Sequence, residues 1–281
     1  MKILITGCNG FLGKEFSEYF AGHDLILANR QYLDLNSSDA VDDFFENNKV
    51  DIILHTAIEG GRRNQTDTFN TMCKNLTMFS NLAKHRDKYD LMINFGSGAE
   101  FDRRRDIAKA SEMELTFRWP ADYYGLSKRI ITEEIYKSNN IFNLRLFGCF
   151  GFHEASSRFI KASIDRLRQG DKILIHENKF MDFFFVEDLC RVVEYYIDTE
   201  HSKLHRDVNM CYQEKISLYE LAEIVCSITG RDPLNNIKIQ TLDNHKIKSY
   251  TGSSLRLRSL DIGFIGLEEG IRRVYERIRQ S

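Results

Sequence analysis

The residues best suited to chemistry lie in Trp119-Pro120-Ala121-Asp122-Tyr123-Tyr124-Gly125-Leu126-Ser127-Lys128, where a phenol stands four residues ahead of an ammonium. At an expected helix start, that spacing sets Tyr124 and Lys128 on one face. A nearby ammonium favours the phenolate. It would lower a tyrosine pKa from its reference of roughly 10 and ready the hydroxyl to give or take a proton near neutral pH. Of the twelve tyrosines, only Tyr124 has a lysine four residues on. The plain alternative is a tyrosine packed on a helix beside an exposed lysine, so the rest of the chain must decide.

A second candidate follows Asp90-Leu91-Met92-Ile93-Asn94-Phe95, a buried-strand pattern that stops at Gly96-Ser97-Gly98-Ala99-Glu100. Polar residues at the carboxyl end of a parallel strand lie where such sheets bind ligands, which makes Ser97 the second catalytic candidate. Glu100 could act as a base near a substrate, against the plainer reading of a solvated loop glutamate.

The elements that must position these groups begin with Lys2-Ile3-Leu4-Ile5-Thr6, a buried parallel strand. It runs straight into Gly7-Cys8-Asn9-Gly10-Phe11-Leu12-Gly13 and an amphipathic helix. Glycines allow the turn and a close approach to a pyrophosphate, and the free amides at a helix start attract its charge, so this segment predicts a dinucleotide site. A second strand, Leu25-Ile26-Leu27-Ala28, ends at Asn29-Arg30, where it would meet the adenosine ribose. An acidic residue there would favour NAD(H); Arg30 favours a 2′-phosphate and hence NADP(H). Asp34-Leu35 would flank the adenine, and Thr56-Ala57 with the Gly60-Gly61 loop, after strand Val50-Asp51-Ile52-Ile53-Leu54-His55, would pass along the cofactor.

Further strands are expected at 141 to 147, 172 to 175, 207 to 210 and 236 to 241, and helices at 39 to 48, 69 to 84, 158 to 168, 187 to 199, 217 to 229 and 267 to 279. The fold class is α/β, a Rossmann doubly wound parallel sheet with a smaller C-terminal α/β substrate lobe. Residues 1–150 plus about 181–210 form the nucleotide domain, and about 151–180 plus 211–281 the lobe. Arg103-Arg104-Arg105 reads as a solvated loop.

Composition is that of an ordinary globular protein: 281 residues, 42% hydrophobic and 28% charged, with net charge −2. That balance gives no reason to expect nucleic acid or an anionic membrane as a partner. No apolar run approaches spanning length and no signal-peptide layout precedes the first strand, so cytoplasm is the default. The six cysteines lie far apart without metal-ligand spacing, which points to free thiols and no metal.

A nucleotide turn, a serine after strand four and the Tyr124–Lys128 pair, in this order, resemble the short-chain dehydrogenase/reductase superfamily. The length and the C-terminal third are similar to its extended members acting on nucleotide sugars, most of all the GDP-fucose synthase type of 4-keto reductase/epimerase. That likeness shows in Ile3-Leu4-Ile5-Thr6-Gly7, in Asn29-Arg30 with Asp34-Leu35-Asn36, and in Gly96-Ser97. It implies that Tyr124 is the general acid and base, that Lys128 lowers its pKa and holds the nicotinamide ribose, and that Ser97 hydrogen-bonds the reacting oxygen. It also suggests a homodimer through the helices near 69 to 84 and 124 to 138.

Departures narrow the reaction. Dehydratases of this kind carry an Asp-Glu pair where Gly98-Ala99 stand, and the epimerising Cys and His fall at Ala99 and Arg158. Met181 replaces the Arg that usually precedes the Asp-Phe of the returning segment, so Lys179 or Arg256 is expected to hold the substrate diphosphate instead, with Arg158 also near the sugar. The expected activity is NADP(H)-dependent reduction of a 4-keto nucleotide sugar. The rivals are a C4 epimerase that retains its cofactor and a non-catalytic nucleotide sensor.

Overall fold

Six short apolar runs form one parallel sheet in a computed structural model that describes residues 1–62, 66–240 and 248–281. The strands are β1 (Lys2–Thr6), β2 (Asp24–Ala28), β3 (Ile52–His55), β4 (Leu91–Ser97), β5 (Ile141–Leu146) and β6 (Asp207–Met210), in spatial order β6-β5-β4-β3-β1-β2. Each neighbouring pair is parallel, with Ile3 opposite both Leu25 and Ile52. From β1 the chain goes first to one side and then, with β3, to the other. That reversal opens a crevice at the carboxyl ends of β1 and β3.

Helices cover both faces because alternate side chains of each strand point to opposite sides. Ile3, Ile5, Leu54, Ile93 and Phe95 face α1 (Phe11–Tyr19) and α6 (Val186–Asp198) in one cluster. Leu4, Ile53 and Met92 face the opposite cluster with residues of α2 (Ser38–Asn47), α3 (Phe69–Ala83) and α4 (Tyr123–Ile135). Burying each such Leu, Ile or Phe contributes about 1.5–3 kcal/mol. No helix among the described residues is long and apolar enough to cross a membrane.

The C-terminal third adds α5 (Phe159–Arg168), α7 (Leu218–Thr229) and α8 (Leu267–Gln280). The first core cluster runs on into them through Ile164, Leu221, Val225 and Ile271, so they share that core. Two short pieces were not expected from pattern. Strand Ile107–Ala110 pairs in parallel with Ser249–Gly252, which also pairs with Phe180–Met181. The strand expected at 236 to 241 is Ile237–Ile239, paired with Ile173–Ile175; residue 241 lies outside the described residues. Cys8, Cys73, Cys149, Cys190, Cys211 and Cys226 are free thiols.

Candidate active site

The glycine turn sits at the crevice. Gly7 has φ +67°, and a Cβ there would lie 2.7 Å from the Ala57 Cα; one on Gly13 would lie 2.4 Å from the Gly7 carbonyl oxygen. Side chains at either position would break the turn, leaving a backbone cradle that only glycine permits. Gly10 caps α1 without a side-chain hydrogen bond, and no acidic residue occupies the helix's first turn. Its free amides around Asn9, Phe11 and Leu12 suit a pyrophosphate. Thr56 donates to the Thr6 carbonyl at 2.6 Å, and the Ala57 amide to Thr6 Oγ1 at 3.3 Å, which holds the end of β3 against this turn. A dinucleotide therefore fits the residues present.

At the tip of β2, Asn29 Oδ1 accepts the amides of Gln31 and Tyr32 at 2.9 Å each. The turn leaves the Arg30 side chain 69% exposed, in a long ion pair with Asp34 at 3.9 Å. Leu35 is buried, its carbonyl taken by Asn81 at 2.8 Å.

Ser97 ends β4 and caps the turn Gly98–Glu100. Its Oγ accepts the Ala99 amide at 3.1 Å while its own amide donates to Glu100 Oε1 at 2.9 Å. Asp122 caps α4, accepting the Gly125 amide at 2.8 Å, and also binds Arg103 at 2.8 Å. These caps bring Tyr124 beside Ser97. An ideal Cβ on Gly61 would lie 2.7 Å from the Tyr124 ring, so the loop after β3 runs against the phenol.

Burial raises the Tyr124 pKa; hydrogen bonding from Ser97 and the charge of Arg103 draw it down without prevailing, and the charges of Glu100 and Asp67 push it up. The net shift is upward, set first by burial, where the resemblance implied a lowering by Lys128. The Lys128 ammonium is buried and donates to the Phe95 carbonyl at 2.7 Å. Burial brings its pKa down to about 8, while Glu100 favours its charge. Beside it, burial and the Lys128 charge hold His55 neutral with a pKa of about 3; its Nδ1 lies 3.0 Å from Thr6 Oγ1.

Glu100 is a buried structural anion, which corrects its reading as a solvated loop residue. It accepts Arg145 Nε and the Thr132 hydroxyl at 2.8 Å each. Arg145, itself fully buried, also donates to Asp207 at 2.8 Å and Asn209 at 3.0 Å. Arg256, expected at the substrate diphosphate, instead pairs with Asp207 and lies 3.8 Å from Glu112. Two buried carboxylates hold it beside β6, at the far edge of the sheet from the β1–β3 crevice.

Arg158 is half-exposed at the start of α5, 3.8 Å from Glu154 and 3.4 Å from the Cys149 carbonyl. Its segment flanks the glycine turn, where the His153 amide donates to Glu15 of α1 at 2.8 Å. The Lys179 carbonyl accepts the Leu218 amide at 3.0 Å, at the head of strand Phe180–Met181. After Met181, Asp182 is buried and paired with Lys215 at 2.8 Å; burial pushes its pKa up to about 6.

Pattern reading missed Arg103 and Tyr250. Their charge and hydroxyl reach the Ser97–Tyr124 pair from a loop and from the C-terminal strand. One signal was available for the buried network. An arginine inside the apolar strand Ile141–Leu146 requires carboxylates to meet it.

Comparison with known proteins places the sequence and the fold among relatives. The model of the NAD dependent epimerase/dehydratase family matches residues 3–211. GDP-L-colitose synthase of Yersinia pseudotuberculosis is 24% identical over an alignment of 255 residues, with 82% of this chain and 82% of that protein covered. Among solved structures, the NADP-bound GDP-mannoheptose C4 reductase of Campylobacter jejuni superposes with a TM-score of 0.81 at 20% identity, covering 99% of this chain and 98% of the other. A GDP-L-fucose synthetase from Naegleria fowleri reaches 0.83 at 16% identity, covering 99% and 93%.

Proposed function

The chain belongs to the NAD dependent epimerase/dehydratase family, and on that premise we propose that it reduces the 4-keto group of a nucleotide-linked sugar to an alcohol, using NADP(H). The observation that carries this is the meeting of Ser97 and Tyr124 next to the β1–β3 crevice, with Ala99 apolar and Glu100 locked on Arg145. Reduction needs one proton and no base at the neighbouring carbons.

Bound NADPH would supply the hydride, on the backbone cradle of Gly7 to Gly13 with Arg30 at its 2′-phosphate. As negative charge builds on the carbonyl oxygen, the Ser97 hydroxyl stabilises it and Tyr124 gives up its proton. A phenol whose pKa burial has raised is fully protonated at neutral pH, which suits a donor. Lys128 remains the group for the nicotinamide ribose. Arg158 and Lys179 are the cations proposed for the substrate. The exposed rings of Phe69 and Tyr123, in edge contact with centroids 6.1 Å apart, support a homodimer through α3 and α4, which light scattering tests.

The direct test incubates the protein with NADPH and GDP-, dTDP-, UDP- and CDP-linked 4-keto sugars and follows nicotinamide absorbance. Oxidation with one of the panel is expected, and its absence across all four sinks the assignment. Interconversion of C4 epimers without net oxidation would make the protein an epimerase.

A further inference from the structure

The run Arg103-Arg104-Arg105, expected as a solvated loop, is mounted firmly. Just before it, Phe101 is buried and stacks on Phe147 with centroids 5.8 Å apart at 26°. Asp102 is buried too. Arg104 folds back on it, Nε to Oδ1 at 2.7 Å and Nη2 to Oδ2 at 2.8 Å, and the Arg105 amide donates to its carbonyl at 3.1 Å. Arg103 is therefore carried on a turn that is fixed on both sides.

From that turn Arg103 reaches α4. Its Nη2 meets Asp122 Oδ1 at 2.8 Å, the same oxygen that accepts the Gly125 amide in the first turn of the helix. Gly125 in turn lies against the residues that follow Ser97: an ideal Cβ there would stand 2.3 Å from the Ala99 carbonyl oxygen. The guanidinium thus sits at the seam where the Ser97 turn and the Tyr124 helix meet, and its charge acts on the Tyr124 phenol. A cleft of about 280 Å³ lies at this seam, lined by Asp102, Arg103, Arg104, Ala121 and Asp122. A whole small-molecule site takes about 300–1,000 Å³, so the cleft has the size of a subsite.

Arg145 and Arg256 are held on buried carboxylates beside β6. Arg103 keeps 44% of its side chain exposed, and a guanidinium has five N–H donors, more than one carboxylate oxygen takes up. A sugar whose carbonyl lies between Ser97 and Tyr124 carries further oxygens on the carbons to either side. The planar fork of an arginine suits a pair of such oxygens.

We propose that Arg103 is a specificity-determining residue: its guanidinium, docked on Asp122, donates to the sugar oxygens next to the reacting carbonyl and leaves the diphosphate to other cations. The proposal rests on the nucleotide-sugar reading above.

Binding tests it without turnover. GDP, dTDP, UDP and CDP are titrated by calorimetry into the NADPH-loaded protein, beside GDP-mannose, dTDP-glucose, UDP-glucose and CDP-glucose, whose C4 hydroxyl NADPH cannot reduce. For a pair that binds the parent, Arg103→Ala should weaken the nucleotide sugar about tenfold, the loss of one charge-assisted bond, and the matching diphosphate less than about twofold. Arg103→Lys should fall between, because a point charge does not reproduce the fork. NADPH affinity within about twofold of the parent shows that the variants fold. An exposed ion pair contributes little to stability, so Tm should move by less than about 3 °C.

Asp122→Asn gives a second reading. Asparagine still caps α4, but the guanidinium loses its anion, so the nucleotide sugar should weaken about threefold and the diphosphate should not. Equal losses for nucleotide sugar and diphosphate overturn the proposal, because Arg103 then reads phosphate. Parent-like binding of the nucleotide sugar by Arg103→Ala overturns it as well, leaving only a surface ion pair. Either result lets the nucleotide-sugar reading stand. A parent that binds none of the four pairs removes that reading and the proposal with it.

Discussion

Lys128 and Phe95 are joined by a hydrogen bond of 2.7 Å from the ammonium to the carbonyl of β4, one helical turn below Tyr124. The Lys128 charge acts on His55 and is supported by Glu100, while burial is the largest influence on the Tyr124 phenol. The pair that spacing brings to one helix face therefore divides its work. The phenol belongs to Ser97 and Arg103, the ammonium to the strand beneath.

Tyr124→Phe removes the proposed proton donor and keeps the ring against Gly61. Turnover should fall by about 10²–10⁴, the range of general acid catalysis, while NADPH binding measured by fluorescence stays within about twofold. A variant that retains most of its rate would remove Tyr124 from the chemistry.

Arg145→Met leaves Glu100 and Asp207 buried without their shared cation. Breaking such a pair costs about 3–5 kcal/mol, which for a chain of this size lowers Tm by about 10 °C. Because Glu100 also accepts the Ser97 amide, kcat should drop with it. Adding Glu100→Gln and Asp207→Asn should recover part of the stability in urea melts. A variant as stable as the parent would mean that the network contributes nothing.

Glu154 is buried, and its Oε1 has no partner. Burial pushes its pKa from 4.5 to about 8. Below 4.5 both folded and unfolded chains are protonated and no penalty exists. Between 4.5 and 8 the unfolded chain ionises first, so stability falls as pH rises through that window and then levels off. Glu154→Gln should remove this component, stabilising the protein by about 2–4 kcal/mol at pH 8 and little near pH 4.5. Parallel stability curves for parent and variant across that window would refute it.

Arg30→Ala should weaken NADPH and spare NADH. Loss of a charge-assisted contact to phosphate is worth about 1.5–3 kcal/mol, or roughly 10–100-fold in KM. Equal weakening of both cofactors would show that Arg30 does not read the 2′-phosphate.

Much of the frame was legible in order along the chain. Ile3-Leu4-Ile5, the glycine turn and the start of α4 each carry their meaning within about a dozen residues, because strand burial, positive φ and helix spacing are local constraints. The same locality explains the errors. Glu100 looked like a loop carboxylate because its cation, Arg145, lies 45 residues on; Arg256 looked available because Asp207 lies 49 residues before it.

The residue types by themselves determined the doubly wound sheet, the nucleotide turn and the identity of the two hydroxyls, Ser97 and Tyr124. Only the tertiary structure decided what surrounds them. It raised the phenol by burial, turned Lys128 to a backbone carbonyl, and carried Tyr250 across more than a hundred residues to Gly98 through the pairing of Ser249–Gly252 with Ile107–Ala110. Burial and partner geometry depend on which distant strands meet, and no local pattern encodes that pairing.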